Sequence, residues 1–395
     1  MKILLTGATG YIGKRLLPIL LKEGYEVICC IRDKKRFNAE KYSSPRLQVI
    51  EVNFLDSAKD IQFPGGIDAA YYLIHSMASG ERSFEELEKR SAETFRDAAE
   101  RAKIKQVIYL SGIVNEVTLS KHLISRKNVE NVLAGGSYSL TTLRAGIIVG
   151  SGSASFEIIR DLVEKLPLMI TPRWLNTRTQ PIAIRNVIEY LVGVLLRSET
   201  YGHSYDIGGP DILTYKQMLL RFAKIRGLKR SIIVVPVMTP RLSSYWLYFV
   251  TAVSYSLAVN LVNSMKVEII CRQNNLNDIL GIKLIDYDES IRLAFDKIEQ
   301  NQVISSWSDA LTSNILDSGI TKHMEVPQNG CYKDSRKIKV SSVSRSLNKI
   351  FAIGGNTGWY YANWLWALRG FADKLFGGVG LRRGRRDPVE INAGE

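Results

Sequence analysis

The chain is poor in the residues that build metal centres and disulfide frameworks, with four cysteines and four histidines in 395 residues. Cys29 and Cys30 are adjacent, Cys271 and Cys331 stand alone, and none has the paired spacing of a zinc site. The pattern predicts no metal, reduced thiols and a cytoplasmic setting. The apolar run Ile3–Leu5 passes straight into a glycine-rich turn, so no secretory leader is expected. No internal repeat and no recognised nucleic-acid module is present. Acidic residues are also short, 39 against 53 basic, for a net charge of +14. Such a field favours anionic partners: nucleotide phosphates first, acidic lipid headgroups next, nucleic acid last.

A hydrophobic content of 46% with 23% charged residues is that of a globular protein, and the length exceeds one ordinary domain. One stretch, Leu242 to Met265, carries no charge. It is long enough to span a bilayer, but its five serines, two asparagines and one threonine dilute its apolar character. A buried or interfacial helix is the expected reading. Tyr245, Trp246, Tyr248 and Phe249 would suit a headgroup-level anchor or an apolar substrate channel, so peripheral membrane contact stays open.

The most informative feature is Thr6-Gly7-Ala8-Thr9-Gly10-Tyr11-Ile12-Gly13, between the apolar run and an amphipathic stretch from Tyr11 to Glu23. Strand, glycine turn and helix in that order make a dinucleotide site: the helix start offers bare N–H groups and a positive dipole end to a pyrophosphate. Gly7 would allow the tight turn, Gly10 the approach to phosphate, and Gly13 the contact of helix with strand. A second strand, Tyr25 to Ile31, leads to Arg32, where an acid would read the ribose 2′-hydroxyl. Arg32 with Lys34, Lys35 and Arg36 suits a 2′-phosphate, which favours NADP(H) over NAD(H). Asp33, one residue on, keeps NAD(H) open.

The first 150 residues alternate strand and helix patterns, as a parallel sheet with crossover helices requires. Val49 to Val52 reads as the third strand, with Asp56 beyond it near the adenine. Asp68 to Ile74 is the fourth, ending at His75-Ser76-Met77. A charged helix from Phe84 to Lys103 follows, then a fifth strand from Gln106 to Leu110, ending at Ser111-Gly112. Ligands meet an open α/β sheet at its strand ends, so residues 74–77 and 111–114 should border the nicotinamide. A helix from Lys121 to Leu133 and a strand from Leu140 to Val149 come next.

The glycine spacing and the letters TGATGYIG resemble the extended and atypical short-chain dehydrogenase/reductase families, including the NmrA-like type. Ala70–Met77, Arg144–Phe156, Met169–Ile184, Tyr205–Leu213, Pro236–Trp246 and Trp359–Arg386 resemble bacterial members that carry a C-terminal DUF2867 domain. The resemblance implies an α/β fold: a Rossmann-type doubly wound parallel sheet (1–150), an interleaved substrate lobe (151–300) and a linker (301–335). A partial α+β, helix-grip-like module (336–395) would follow. In the last part the pattern predicts a strand over Lys337–Val343, a helix near Ser346–Ala352 and an aromatic helix to Phe376. That fold needs more strands than the residues after Arg336 supply, so the chain is expected to stop inside the module.

The resemblance also exposes a departure. Relatives that move hydride use a tyrosine and, four residues later, a lysine. Aligning Ser125 with the residue before the lysine places His122 at the tyrosine position and Arg126 at the lysine position, with Glu130 matching a common acid beyond. His122 is a candidate proton donor or a helix-start residue bonded to backbone; Arg126 is a candidate for the ribose hydroxyls. The resulting expectation is an NADP(H)-dependent oxidoreductase acting on a small apolar carbonyl or quinone-like substrate. The rival is an NAD(P)(H)-binding regulatory or assembly protein without turnover. Candidate cofactor contacts are Thr6, Gly7, Thr9, Gly10, Tyr11, Ile12, Gly13, Arg32, Asp56, His75 and Ser111. Arg144 could reach a ligand or bridge to an acid. Ser151–Ser155 could cap a helix from Phe156 or hold an anion, with capping favoured. Arg173, Trp174, Arg178 and Gln180 suggest a specificity surface, and Asn186 falls where relatives often carry aspartate. Trp359, Tyr360, Tyr361, Trp364, Trp366 and Phe371 read as core, with a ligand cavity as the alternative.

Overall fold

The computed structural model describes residues 1–32, 34, 37, 39, 42, 44–74, 84–114, 121–235, 265–299, 338–354 and 357–375. Among them, β1 (Lys2–Thr6), β2 (Glu26–Ile31), β3 (Leu47–Glu51), β4 (Ala69–Tyr72), β5 (Gln106–Gly112), β6 (Ser139–Ala145) and β11 (Ser204–Ile207) form one sheet. Their order is β11-β6-β5-β4-β1-β2-β3, and every pairing is parallel. The chain starts in the middle, winds outward through β2 and β3, then crosses to β4 and winds the other way. The cleft between β1 and β4 is therefore the switch point, where an open α/β sheet receives a ligand.

The strands read as continuous apolar runs because both faces of the sheet are covered. Ile3, Leu5, Val27, Cys29 and Tyr71 pack under α1 (Gly13–Lys22) and α5 (Ile184–Gly193). Leu4, Ile28, Cys30, Ala70, Tyr72 and Tyr109 face α2 (Phe84–Arg101) and α3 (Lys121–Ala134). A third core, around Phe156, Met169, Met218, Phe222 and Phe295, belongs to the lobe. It joins α4 (Ala154–Lys165), α6 (Tyr215–Ile225) and α8 (Tyr287–Glu299), preceded by the short α7 (Leu276–Leu280). Phe156, Phe222 and Phe295 lie 5.4–5.7 Å apart, edge-on or tilted, the arrangement aromatic rings prefer. Four short pairings complete the lobe: β7 (Ile148–Val149) with β10 (Ile182–Ala183), β9 (Arg178–Thr179) with β12 (Leu213–Thr214), β8 (Leu168–Pro172) with β13 (Ser231–Val235), and an isolated bridge from Thr179 to Ile269.

Several sequence expectations need correction. The strand expected over 140–149 breaks into β6 and β7, because Gly146 lies so close to the Gln180 carbonyl that a Cβ there would sit 2.9 Å from its oxygen. The helix expected from Phe156 starts at Ala154, capped by the Ser153 side chain, which accepts from Phe156 N at 3.2 Å. The strand expected over 337–343 is absent among the described residues 338–342. Ser342 instead caps α9 (Val343–Phe351), accepting from Arg345 N at 3.4 Å, so cap chemistry overrides the alternation. The aromatic set near α10 (Asn363–Leu375) is not core: Trp359, Tyr360, Tyr361, Trp364 and Phe371 are exposed, and Trp359 stacks on Trp366 at 5.1 Å. The uncharged 242–264 and the 301–335 linker lie outside the described residues. No helix of the described residues is long and apolar enough to cross a membrane.

Candidate nucleotide-binding site

The glycine turn between β1 and α1 forms the floor of the site. Gly7 has φ +66°, and a Cβ on it would stand 2.6 Å from the Leu73 carbonyl oxygen at the end of β4. Gly13 opens α1 so close to the turn that a Cβ would meet the Gly7 carbonyl oxygen at 2.2 Å. Both positions require glycine, one for its backbone conformation and one for space. Gly10 N donates to Gly7 O at 2.9 Å and closes the turn. No side chain caps the start of α1, which leaves its dipole end available to an anion. Thr9, Tyr11 and Ile12 are half-buried around this opening. Thr6 is not: its buried hydroxyl donates to Tyr71 O at 3.0 Å and accepts from Leu73 N at 3.1 Å, tying β1 to β4.

At the end of β2 the described Arg32 is half-buried. Asp33, Lys35 and Arg36 lie outside the described residues, so their placement relative to Arg32 is not described. Asp56 is exposed beyond β3 and accepts from Asn53 Nδ2 at 3.0 Å. His75 to Met77 also lie outside the described residues.

The opposite wall is built from the end of β5 and the start of α3. Ser111 is 2% exposed, and its Oγ, near the Tyr109 phenol, makes no hydrogen bond of normal geometry among the described residues. Arg126, half-buried on α3, brings Nη1 only to 3.5 Å from Leu110 O, and its buried Nε has no partner among the described residues. Unsatisfied buried polar atoms of this kind mark places where a ligand or water completes the bonding. Tyr109, beside them, donates from its hydroxyl to Arg126 O at 3.4 Å, and burial pushes its phenol up to about 12. Ser125 Oγ donates to the buried Glu88 at 2.5 Å, which pins α3 to α2. His122 lies one turn before Arg126 on α3; its side chain is outside the described set.

The lobe closes on the turn through residues that sequence reading missed. Arg15, in the first turn of α1, donates from Nη2 to Ser151 O at 2.7 Å and to Ser151 Oγ at 3.3 Å. Its guanidinium lies 4.7 Å over the Tyr11 ring. Burial pushes the Tyr11 phenol up to about 12, against the pull of Arg15. The only sequence signal for Arg15 was a cation just after Gly13, which reads as a solvated helix face.

Other singled-out residues have structural partners. Arg178 pairs with Glu268 at 2.8 and 3.0 Å, and Gln180 bridges Gly209 O and Cys271 N at 2.7 and 3.0 Å. Asn186 is buried and links Lys283 O, Ile285 N and Glu189. Trp174 packs edge-on to Tyr215. Arg144 bridges to Glu130, one of the two roles its sequence position left open. Among the described residues, no cluster of three His, Cys, Asp or Glu is placed to hold a metal ion.

The residues present fit a dinucleotide: an uncapped helix start, a glycine cradle closed to any Cβ, and two orphaned polar atoms across the cleft. Comparisons with known proteins agree. Residues 7–147 match the NAD(P)H-binding family, and residues 328–395 match the protein family of unknown function DUF2867. A ketoreductase, sphI, of Aspergillus fumigatus is 32% identical over 117 residues. The match covers 28% of this chain and 35% of that enzyme, so it spans about a third of the curated relative's length.

Solved structures similar to this chain include a nucleoside-diphosphate-sugar epimerase from Staphylococcus aureus, with a TM-score of 0.58 and 13% identity, covering 74% of this chain and 100% of that one. A UDP-glucuronic acid 4-epimerase from Bacillus cereus in complex with NAD has a TM-score of 0.56 and 18% identity, covering 76% and 97%. The enzyme WbmG of Bordetella bronchiseptica, also with NAD, has a TM-score of 0.57 and 13% identity, covering 78% and 96%. At such identities the likeness is one of fold.

Proposed function

We propose that this chain, with its NAD(P)H-binding domain followed by a DUF2867 segment, is an NADP(H)-dependent oxidoreductase of the atypical short-chain class. Its substrate is a small apolar carbonyl or quinone-like compound. The observation that carries the reading is the cleft across the switch point, with the Gly7–Gly13 cradle on one side and the unsatisfied Ser111 Oγ and Arg126 Nε on the other. The partial match to a ketoreductase supports a carbonyl substrate. A bound nicotinamide supplies the hydride. The α1 start holds the pyrophosphate, and Arg32 holds a 2′-phosphate at the far end. Arg126 holds ribose hydroxyls with its fork, a role in which arginine can replace lysine because it needs only donors. Unlike lysine it stays protonated throughout, so the proton for the substrate oxygen comes from elsewhere, and His122 is the candidate.

A second reading has an observation of its own. The phenol beside Arg126, Tyr109, is buried and turned toward the α3 backbone, and burial pushes it up to about 12, which makes it a poor proton donor at neutral pH. If His122 does not supply the proton, the chain holds nucleotide without turning it over. NADPH oxidation against a panel of quinones and aldehydes decides between the two: turnover with any of them supports the oxidoreductase, and binding without turnover across the panel supports the holder. The surplus of basic residues favours, in addition, peripheral contact with an anionic membrane on the cytoplasmic face. Vesicles rich in anionic lipid should then pull the protein down at low salt and release it at high salt.

A further inference from the structure

Arg126 and Glu130 stand four residues apart on α3, the spacing at which opposite charges on one helix face meet. They do not pair. Glu130 gives both carboxylate oxygens to the neighbouring strands instead: Arg144 Nη2 lies 2.5 Å from Oε1 and Arg144 Nε 3.1 Å from Oε2. Ser204 Oγ adds a third bond to Oε1 at 2.8 Å. Arg144 is held in turn by the buried Asp206, 3.8 Å away, which also takes the Arg272 guanidinium at 2.8 and 2.9 Å. Among the described residues, Arg126 makes no ion pair.

We infer that Arg144 is a positioning residue for nucleotide binding. By occupying both oxygens of Glu130 it keeps that carboxylate off Arg126 and leaves the guanidinium free for the nicotinamide ribose. The inference rests on the reading of Arg126 as the ribose contact. The physical argument is a competition. Glu130 is largely withdrawn from water, so it must be paired wherever it points. With Arg144 removed, the half-buried cation on its own helix is Arg126, since Lys127, three residues before Glu130, is exposed. An Arg126–Glu130 pair would then have to be broken each time nucleotide binds, and affinity would fall although no nucleotide contact had been deleted. The Arg272–Asp206 link extends the device to the segment after Met265, so the lobe supports the same arginine that frees the ribose site.

The test measures NADPH binding by fluorescence for the full chain and five variants. Arg144→Met is expected to weaken binding about tenfold. Adding Glu130→Gln to it removes the competing charge and should restore affinity to within about threefold of the parent. Arg144→Lys, which offers a point charge in place of a fork, should lose less, and Glu130→Gln should again relieve the loss. Unchanged binding in Arg144→Met overturns the inference. So does a double variant as weak as the single one, because lost scaffolding predicts no rescue. If Arg144→Met does not fold, the lysine variant decides by the same criterion. Arg126→Met is the control on the premise: if it binds NADPH like the parent, the ribose reading fails, whatever the Arg144 variants do.

Discussion

Gly13 and Gly7 touch: the first residue of α1 lies so near the turn that a single added methyl group would sit 2.2 Å from the Gly7 carbonyl oxygen. The helix start can approach the strand end only because position 13 has no side chain. Gly13→Ala must push α1 away from β1, at a cost of about 1–3 kcal/mol as for other overpacked sites. It should also weaken NADPH binding at least tenfold, read by fluorescence titration alongside a thermal melt. An alanine variant with parental affinity would show that α1 does not carry the phosphates.

Binding and turnover separate on α3. Arg126→Met should reduce nucleotide affinity about tenfold or more. His122→Ala should leave affinity near the parent and abolish hydride transfer. If histidine is the acid, carbonyl reduction falls as pH rises and the imidazole loses its proton, since the protonated form must donate. Unchanged turnover in His122→Ala removes the histidine from the chemistry.

Gln106 holds the sheet to the end of α5. Its fully buried amide donates to Thr141 Oγ1 at 3.0 Å and to Val194 O at 2.9 Å, and accepts from Leu196 N at 2.6 Å. Leu196 has φ +54°, an uncommon conformation for a leucine that this bond helps hold. Gln106→Leu should cost about 2–3 kcal/mol, because the Leu196 N–H loses its partner inside the core. Urea unfolding measures it; a loss under about 0.5 kcal/mol would mean the backbone finds other partners.

The paired cysteines should be chemically silent. Burial pushes the Cys29 thiol up to about 12 and Cys30 well above its ordinary value. At pH 8 a pKa of about 12 leaves a thiolate fraction on the order of 10⁻⁴, so both should resist alkylation until the chain unfolds. Mass spectrometry of the alkylated native protein reads this directly; fast labelling of either would contradict the burial.

How much of this was legible in the sequence depends on the range of the forces involved. Thr6–Gly13 declared the turn, helix and cofactor class because the geometry there is local and glycine is the only residue that satisfies it. The first five strands are legible within a few residues because a parallel sheet covered on both faces leaves long apolar runs. Distant partners left no such trace. Arg15 carries no signal of its role in the sequence, because its acceptor, Ser151, lies far along the chain. Arg144 offered two roles, and only the fold brought Glu130 to it. Near the C-terminal end, alternation at 337–343 suggested a strand, but Ser342 caps a helix, a competition the letters alone leave undecided. The aromatic cluster around Trp359 reads as core by composition, yet its described side chains lie at the surface.

The most direct test of the account is one titration of the full chain with NADPH, NADP⁺ and NADH in the same buffer, followed by fluorescence. The account predicts that NADPH and NADP⁺ bind with similar affinity and NADH at least tenfold more weakly, with Arg32→Ala erasing the difference. Failure to bind any of the three would contradict the nucleotide site on which every other prediction depends.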